Sequence, residues 1–246
     1  MTGANKGIGL GVTTAYAERG DQVIAACRNS SEELDALGVQ VLDGIELTSD
    51  AAVARLVQKV GDEPLDVLVL NAGINTDAAD LEGIDVDELA HMFDVNALGP
   101  VRVVLALLDN LREGSKIMFV STGQNVFNGL LAPTPSAGNY GYRMSKAAMV
   151  CFAAGVARDL RERGVSVIVS HPGAVDTALL RRVFEEGRTP QATMDRSRDA
   201  ETVGLLFRER LDDLSLADSP AWHDGPNGEP IVDLDRGLIL AGRDGR

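Results

Sequence analysis

The stretch Thr2-Gly3-Ala4-Asn5-Lys6-Gly7-Ile8-Gly9 (TGANKGIG, 2–9) decides how the chain is read. Its glycines permit a tight turn and the close approach of a second backbone, and a helix after it aims unpaired N–H groups at an anion. A pyrophosphate fits such a loop. The spacing is GxxxGxG, not the GxGxxG of the usual dinucleotide fingerprint, and either pattern alone is a weak signal because glycine-rich turns are common. Such a loop normally caps the carboxyl end of a β-strand, yet no strand-length stretch precedes Thr2.

Beyond the loop, residues 8–19 place apolar side chains at helical spacing and stop at Gly20, a residue suited to the position past a helix end. A short buried strand is expected at 22–27, then a helix near 31–37, a weak strand around 39–47, a helix at 50–60 and a strand at 66–70 that runs into Asn71-Ala72-Gly73. A helix over about 87–111 leads to a strand at 116–121, and a helix over about 142–163 leads to a strand at 166–171 ending at Pro172-Gly173. Apolar strand runs each followed by a helix imply a parallel sheet covered on both faces, with right-handed crossovers. The expected fold is a single-domain, doubly wound α/β sheet over 1–246 whose first strand is truncated. After it come a charged stretch at 176–198, a helix at about 199–213, a Pro/Gly/Asp-rich segment at 218–230 and a possible last strand at 230–234. The 176–198 segment is long for a connection, and such loops often cover a ligand.

Composition narrows the partners. A formal charge of −14 argues against nucleic acid or an anionic membrane, either of which needs a concentrated basic face. Cys27 and Cys151 are too few for a disulfide framework and lack metal-ligand spacing, so no metal and a reducing compartment are expected. No segment has the order of a signal peptide and no apolar run approaches membrane-spanning length, so the chain reads as cytoplasmic.

The cofactor is read from the second strand. An acidic residue at its end holds the ribose 2′-hydroxyl of NAD, whereas a basic residue accommodates the 2′-phosphate of NADP. Here the strand ends Ala26-Cys27-Arg28, and Lys6 sits inside the glycine loop. A missing anion and two cations favour NADP(H), against the alternative that both are ordinary solvated cations. A second constellation is Tyr142-Arg143-Met144-Ser145-Lys146, whose Tyr and Lys four apart share one helical face. A nearby cation lowers a Tyr pKa from about 10 by roughly 1–3 units, so Tyr142 is expected to exchange a proton near neutral pH. At the end of strand 116–121, Ser121 and Thr122 offer hydroxyls to a carbonyl oxygen that gains negative charge.

Taken together, TGANKGIG, LNAG (70–73), VNALG (95–99), VST (120–122), YRMSK (142–146) and HPGAVDT (171–177) resemble the short-chain dehydrogenase/reductase family, in the expected order along nearly the whole chain. Within it, ACRN (26–29) and YRMSK look most like small cytosolic carbonyl reductases of the C-factor type. The resemblance implies that Tyr142 protonates the substrate oxygen as NADPH delivers hydride, that Lys146 holds the cofactor ribose and depresses the Tyr142 pKa, and that Asn96 positions a relay water. It matches Thr122 to the family's catalytic serine, with Ser121 before it; the extra methyl is a departure. For the cofactor it implies Gly3, Asn5, Lys6, Gly7, Ile8 and Gly9 in the loop and Arg28 at the second strand. It adds Glu46 and Leu47 at the adenine, Asn71, Ala72 and Gly73 on the adenosine side, and Pro172, Gly173, Val175 and Thr177 toward the nicotinamide; His171 is taken as structural. The loop between Thr122 and Tyr142 is longer than the family's usual spacing and offers apolar and amide groups without charge, which suits a neutral carbonyl compound.

In this family the strand before the glycine loop is central to the sheet. Met1 stands where a β-branched residue is expected to end it, so a short additional strand upstream is expected, with the apolar tail GLILAG (237–242) as a less favoured occupant of its place. The function expected is NADP(H)-dependent reduction of an aldehyde, ketone or quinone, or the reverse. The alternative is a non-catalytic dinucleotide-responsive binding protein; a methyltransferase on a similar sheet leaves Tyr142 and Lys146 unexplained. Helices 87–111 and 142–163 match those that pair subunits in the family, so a homodimer or homotetramer is expected, with packing within one subunit as the competing use of the same faces.

Overall fold

Short runs of Val, Ile, Leu and Ala form the strands: β1 (Ile24–Ala26), β2 (Gln40–Leu42), β3 (Leu65–Leu70), β4 (Leu111–Val120), β5 (Ser166–Ser170) and β6 (Ala221–Asp224). The structure, a computed structural model, describes residues 1–78, 80–122, 138–219, 221–224, 229–230, 232–233 and 238–239. β2 and β1 pair in parallel, and β3, β4, β5 and β6 pair in parallel in that order, with β7 (Glu229–Pro230) antiparallel at the edge. β5 is buried along its whole length, as a strand covered on both faces must be.

Side chains alternate across the sheet and feed two apolar layers. Ile117 and Phe119 of β4 face Val53 and Leu56 of α3 (Asp50–Val60), Val103 and Val104 of α5 (Gly99–Ala106), and Met149 and Ala153 of α6 (Tyr140–Leu160). Met118 and Val120 face the other way, onto Val12 of α1 (Gly7–Arg19) and Val203, Phe207 and Leu211 of α9 (Ala200–Asp213). Helices on both faces make the fold a Rossmann-like, doubly wound α/β sheet.

Between β1 and β3 no strand lies among the described residues, and Met1 and Thr2 join the two parts. Met1 O accepts from Ala26 N at 2.9 Å, the Met1 amine donates to Ile24 O at 2.9 Å, and Thr2 N donates to Val69 O at 3.0 Å. Beside these contacts an apolar gap of about 30 Å³ is lined by Ile24, Leu65, Val67, Val103 and Leu107. Of the tail expected as a less favoured occupant, Leu238–Ile239 pair antiparallel with Val232–Asp233 instead, and residues 237 and 240–242 lie outside the described residues.

Several elements differ from the reading of the sequence. The helix expected over 87–111 is α4 (Val86–Phe93), a π-turn at Asp94–Leu98, α5 and a 3₁₀ turn at Leu108–Asn110. β4 begins at Leu111 because that residue pairs with Leu65 across a register shift. The run Val86–Ala106 is, against expectation, 21 residues long and apolar enough to cross a membrane by length and composition, with 44% of its most apolar 18-residue window buried inside the fold. Segment 176–198 holds α7 (Ala178–Glu185), capped by Thr177 Oγ1 accepting from Leu180 N, and the short α8 (Gln191–Met194). The strand expected at 230–234 is divided between β7 and a two-residue strand at Val232–Asp233, and β6, which periodicity within a Pro/Gly/Asp-rich segment did not reveal, precedes them.

Candidate active site

Thr2 and Asn71 build the floor of the site. Thr2 Oγ1 accepts from Asn71 N and Ala72 N at 3.1 and 3.2 Å, and Asn71 Nδ2 donates to the carbonyls of Thr2 and Gly3 at 3.2 Å each. The loop after β3 is thereby tied to the glycine loop. Gly3 adopts φ +65°, and a Cβ on Gly9 would sit 2.0 Å from Gly3 O, so a side chain is excluded where helix meets loop. α1 starts at Gly7 with no side-chain cap and no acidic residue in its first turn, which leaves its N–H groups and positive dipole end open to an anion.

That helix start opens into a cleft of about 490 Å³. Its wall takes Gly3, Asn5, Lys6, Gly7 and Ile8 from the loop, Arg28, Glu46 and Leu47 at the end of β1 and beyond β2, and Asn71, Ala72 and Gly73 after β3. Ser121, Tyr142, Lys146, Pro172 and Thr177 complete the far side. Arg28 is half-exposed, borders the cleft and lies 3.6 Å from Glu46, a loose pair. Gly9 lies beneath the wall as a packing residue. Val175 turns its side chain into the core with Ile168 and Val203, and Gly173, at φ +79°, makes the bend after β5; neither borders the cleft.

Tyr142 and Lys146 sit on the first turns of α6 and share a face, as their spacing requires. Lys146 is buried, donates from Nζ to Val120 O at 2.8 Å, and lies 6.0 Å from the centre of the Tyr142 ring. The expected lowering of the Tyr142 pKa is not what this geometry produces. Burial strips water from both groups, pushing Tyr142 up to about 12 and Lys146 down to about 8, because each side chain resists its charged form out of water. The Ser121 hydroxyl is buried with no partner among the described residues and borders the cleft, whereas Thr122 is buried off the described wall. Ser121 therefore brings an unspent hydroxyl to the same cleft that Tyr142 lines.

Asn96 lies in the π-turn, fully buried. Its amide hydrogens go to Ile74 O at 2.9 Å and Ser145 Oγ at 3.0 Å, and its oxygen accepts from Ile74 N at 2.8 Å. Both hydrogens are spent on the protein, and the side chain clamps the loop after β3 onto α6; a relay water at Asn96 would have to donate to one of its oxygens. Residues the sequence reading passed over complete the surroundings. Asp176, Ala178, Leu179 and Arg181 of segment 176–198 border the cleft, with Arg181 paired to Asp176 at 2.6 Å. Asp77 caps α6, accepting from Gly141 N at 2.9 Å and Tyr142 N at 2.7 Å. An acidic residue is a helix-start signal only when adjacent in sequence, and Asp77 reaches its helix from 64 residues away.

Residues 1–188 match the short chain dehydrogenase family. The chain belongs to the short-chain dehydrogenase/reductase family. Its relatives include 1-hydroxy-2-glutathionyl-2-methyl-3-butene dehydrogenase of Rhodococcus sp. (strain AD45), 34% identical over 181 residues, 73% of this chain and 78% of that one. C-signal of Myxococcus xanthus is 39% identical over 116 residues, 46% of this chain and 68% of that protein. Among solved structures, the NADPH-bound carbonyl reductase from chicken fatty liver superposes with TM-score 0.76 at 22% identity, covering 94% of this chain and 97% of that one, a likeness of fold. As a short-chain dehydrogenase/reductase the chain is an oxidoreductase with a nicotinamide-binding cleft, and the glycine loop, open helix start and Asn71 floor fit that group.

Proposed function

We propose that the chain reduces a neutral aldehyde, ketone or quinone to the alcohol with NADPH, or runs the reverse reaction. The observation that carries this is the meeting of the Tyr142 phenol, the buried Lys146 ammonium and the unpartnered Ser121 hydroxyl on one wall of the cleft that begins at the uncapped helix start. The bound nicotinamide supplies or accepts the hydride. Tyr142, protonated throughout the neutral range, donates to the carbonyl oxygen, and Ser121, with Thr122 beside it, holds that oxygen. Lys146, anchored on Val120 O, places positive charge behind the phenol and binds the cofactor ribose. Arg28 and Lys6 receive a 2′-phosphate, which supports NADP(H) over NAD(H); the NADPH-bound carbonyl reductase of the same fold agrees in kind. Segment 176–198 covers the substrate; residues 123–137, whose uncharged apolar and amide groups are expected from the sequence to line or cover the substrate site, lie outside the described residues.

Two experiments test the reading. Titration with NADPH and NADH, followed by cofactor fluorescence, is expected to give tight binding of the first only. Steady-state NADPH oxidation with a panel of aldehydes, ketones and quinones is expected to proceed and to fail in Tyr142→Phe; binding without turnover on any carbonyl would favour a dinucleotide-responsive binding protein. Exposed Leu98 and Leu105 on the π-turn and α5, with open space above Gly155 on α6, support subunit pairing through these helices, which size-exclusion chromatography with light scattering decides.

A further inference from the structure

Arg188 is the bulkiest side chain among those wholly buried in the described residues, 2% exposed, and it does not border the cleft. Burying a guanidinium is costly unless its donors are met. Here they are met from two separate elements. Nε and Nη2 donate to Glu186 Oε2 at 2.9 and 2.6 Å, within the segment that follows α7. Nη1 donates to Asn139 Oδ1 at 2.8 Å, and the same oxygen accepts from Asn75 Nδ2 at 2.7 Å.

Asn139 is the residue immediately before α6. It holds φ +61°, the single positive φ outside glycine among the described residues, and its carbonyl accepts from Arg143 N at 2.9 Å. A left-handed backbone costs a non-glycine residue free energy and persists only where the surroundings enforce it. Asn75 and Arg188 do so through the amide oxygen. Asn75 Oδ1 also accepts from Asp77 N at 3.3 Å, and the Asp77 carboxylate takes Gly141 N and Tyr142 N. A continuous chain of hydrogen bonds therefore runs from Glu186 through Arg188, Asn139, Asn75 and Asp77 to the amide of Tyr142. At its other end, the segment that carries Arg188 supplies Asp176, Thr177, Leu179 and Arg181 to the cofactor cleft.

We infer that Arg188 is a positioning residue: it latches segment 176–198 to the start of α6, so that docking of this segment over a bound dinucleotide sets the Tyr142 phenol. The inference rests on the proposed cofactor and on the role of Tyr142. Loss of the latch leaves the glycine loop and its anion site intact, and lets the first turn of α6 move.

The test uses the full chain and NADPH, with hydrogen exchange read by mass spectrometry on peptides covering 2–9 and 139–146, beside steady-state kinetics on the best carbonyl substrate. In the wild type NADPH is expected to slow exchange in both peptides. In Arg188→Ala it slows the first only, NADPH affinity holds, and kcat falls roughly 10–100-fold, the size of loss that a misplaced reacting group produces. Added guanidinium ion restores part of kcat where sodium does not, and Arg188→Lys, without the planar fork, recovers less than the guanidinium. Asn139→Gly relaxes the left-handed backbone and deletes the acceptor; it reproduces the loss, and the double variant adds nothing further. Wild-type kcat and protection at 139–146 in either Arg188→Ala or Asn139→Gly overturns the latch. If Arg188→Ala fails to fold, Asn139→Gly decides alone. If the wild type binds NADPH without reducing any carbonyl, the reading of the chemistry fails while the exchange data still judge the latch. If NADPH protects neither peptide, the cofactor reading fails, and unchanged exchange at 139–146 in the unliganded variants overturns the latch separately.

Discussion

Replacing Lys146 by Met should make the difference in stability between wild type and variant depend on pH, because the ammonium is buried. Its pKa is near 8 in the folded chain against 10.5 when hydrated. Below pH 8 both states carry the proton, and the wild type bears the full cost of a dehydrated charge. Between pH 8 and 10.5 the unfolded state alone keeps it, so more protons are bound in the unfolded state and stability rises with pH. At 1.36 kcal/mol per unit the whole shift corresponds to about 3.4 kcal/mol. From pH 7 to 9.5 about 2 kcal/mol of it is recovered, and the variant has nothing to recover. For a domain of this size that is a relative gain of roughly 4–8 °C in Tm. Thermal melts of both chains at pH 7, 8, 9 and 9.5 read it directly. Comparing slopes matters, since at pH 7 the variant also takes a hydrogen bond from the Val120 carbonyl, a cost of about 1–3 kcal/mol that offsets part of the relief. Stopping at 9.5 avoids Tyr142, whose raised pKa gives stability that is full below pH 10 and lost as the pH approaches 12. A Tm gap that stays constant to within a degree, or that moves in the variant's favour as pH rises, would show that the ammonium is hydrated and would refute the argument.

Tyr142→Phe should lower carbonyl reduction by roughly 10²–10⁴-fold while NADPH affinity, read by fluorescence titration, stays close to wild type. Arg28→Ala should weaken NADPH about tenfold and leave NADH unchanged, the lower end for a hydrogen bond to a charged group because Arg28 is half-exposed; equal loss for both cofactors would place Arg28 away from the 2′-phosphate. Gly204→Ala should destabilise by about 1–3 kcal/mol in urea denaturation, because its Cβ would lie 2.2 Å from the Gly11 carbonyl group where α1 crosses α9 and only backbone could yield.

The parts of the fold legible in the sequence are those set by local pattern. Helix 50–60 and strand 66–70 follow from periodicity, and α1 from its apolar spacing and Gly20 at its end. The cofactor half of the cleft is legible for the same reason, since Gly3, Gly7 and Asn71 act through their own backbone or a neighbouring loop. Features made by distant contacts were hidden. β6 exists because Ala221–His223 find hydrogen-bonding partners in Ile168–Ser170, and no alternation within 218–230 advertises it. The π-turn at Asp94–Leu98 is an extra backbone residue accommodated where Asn96 reaches Ile74 and Ser145, invisible to an averaged helical period. Asp77, Asn75, Asn139 and Arg188 are unremarkable polar residues until the chain brings them together.

The Tyr142–Lys146 pair shows where reading by spacing fails for a physical reason. Four residues apart on a helix guarantees proximity but says nothing about water, and the sign of a pKa shift depends on both. On an exposed helix the ammonium would lower the phenol, as expected from the sequence. Here α6 presses its first turns against β4 and the π-turn, Lys146 turns to Val120 O, and the loss of hydration sets the sign of both shifts. The consequence is chemical. A phenol that holds its proton to about pH 12 can donate one throughout the neutral range but is a poor base there, which under the proposed role of Tyr142 favours carbonyl reduction in the unliganded site. Alcohol oxidation would need the phenolate, which requires either alkaline pH or a change in the cleft that returns hydration or positive charge to the Tyr142 hydroxyl.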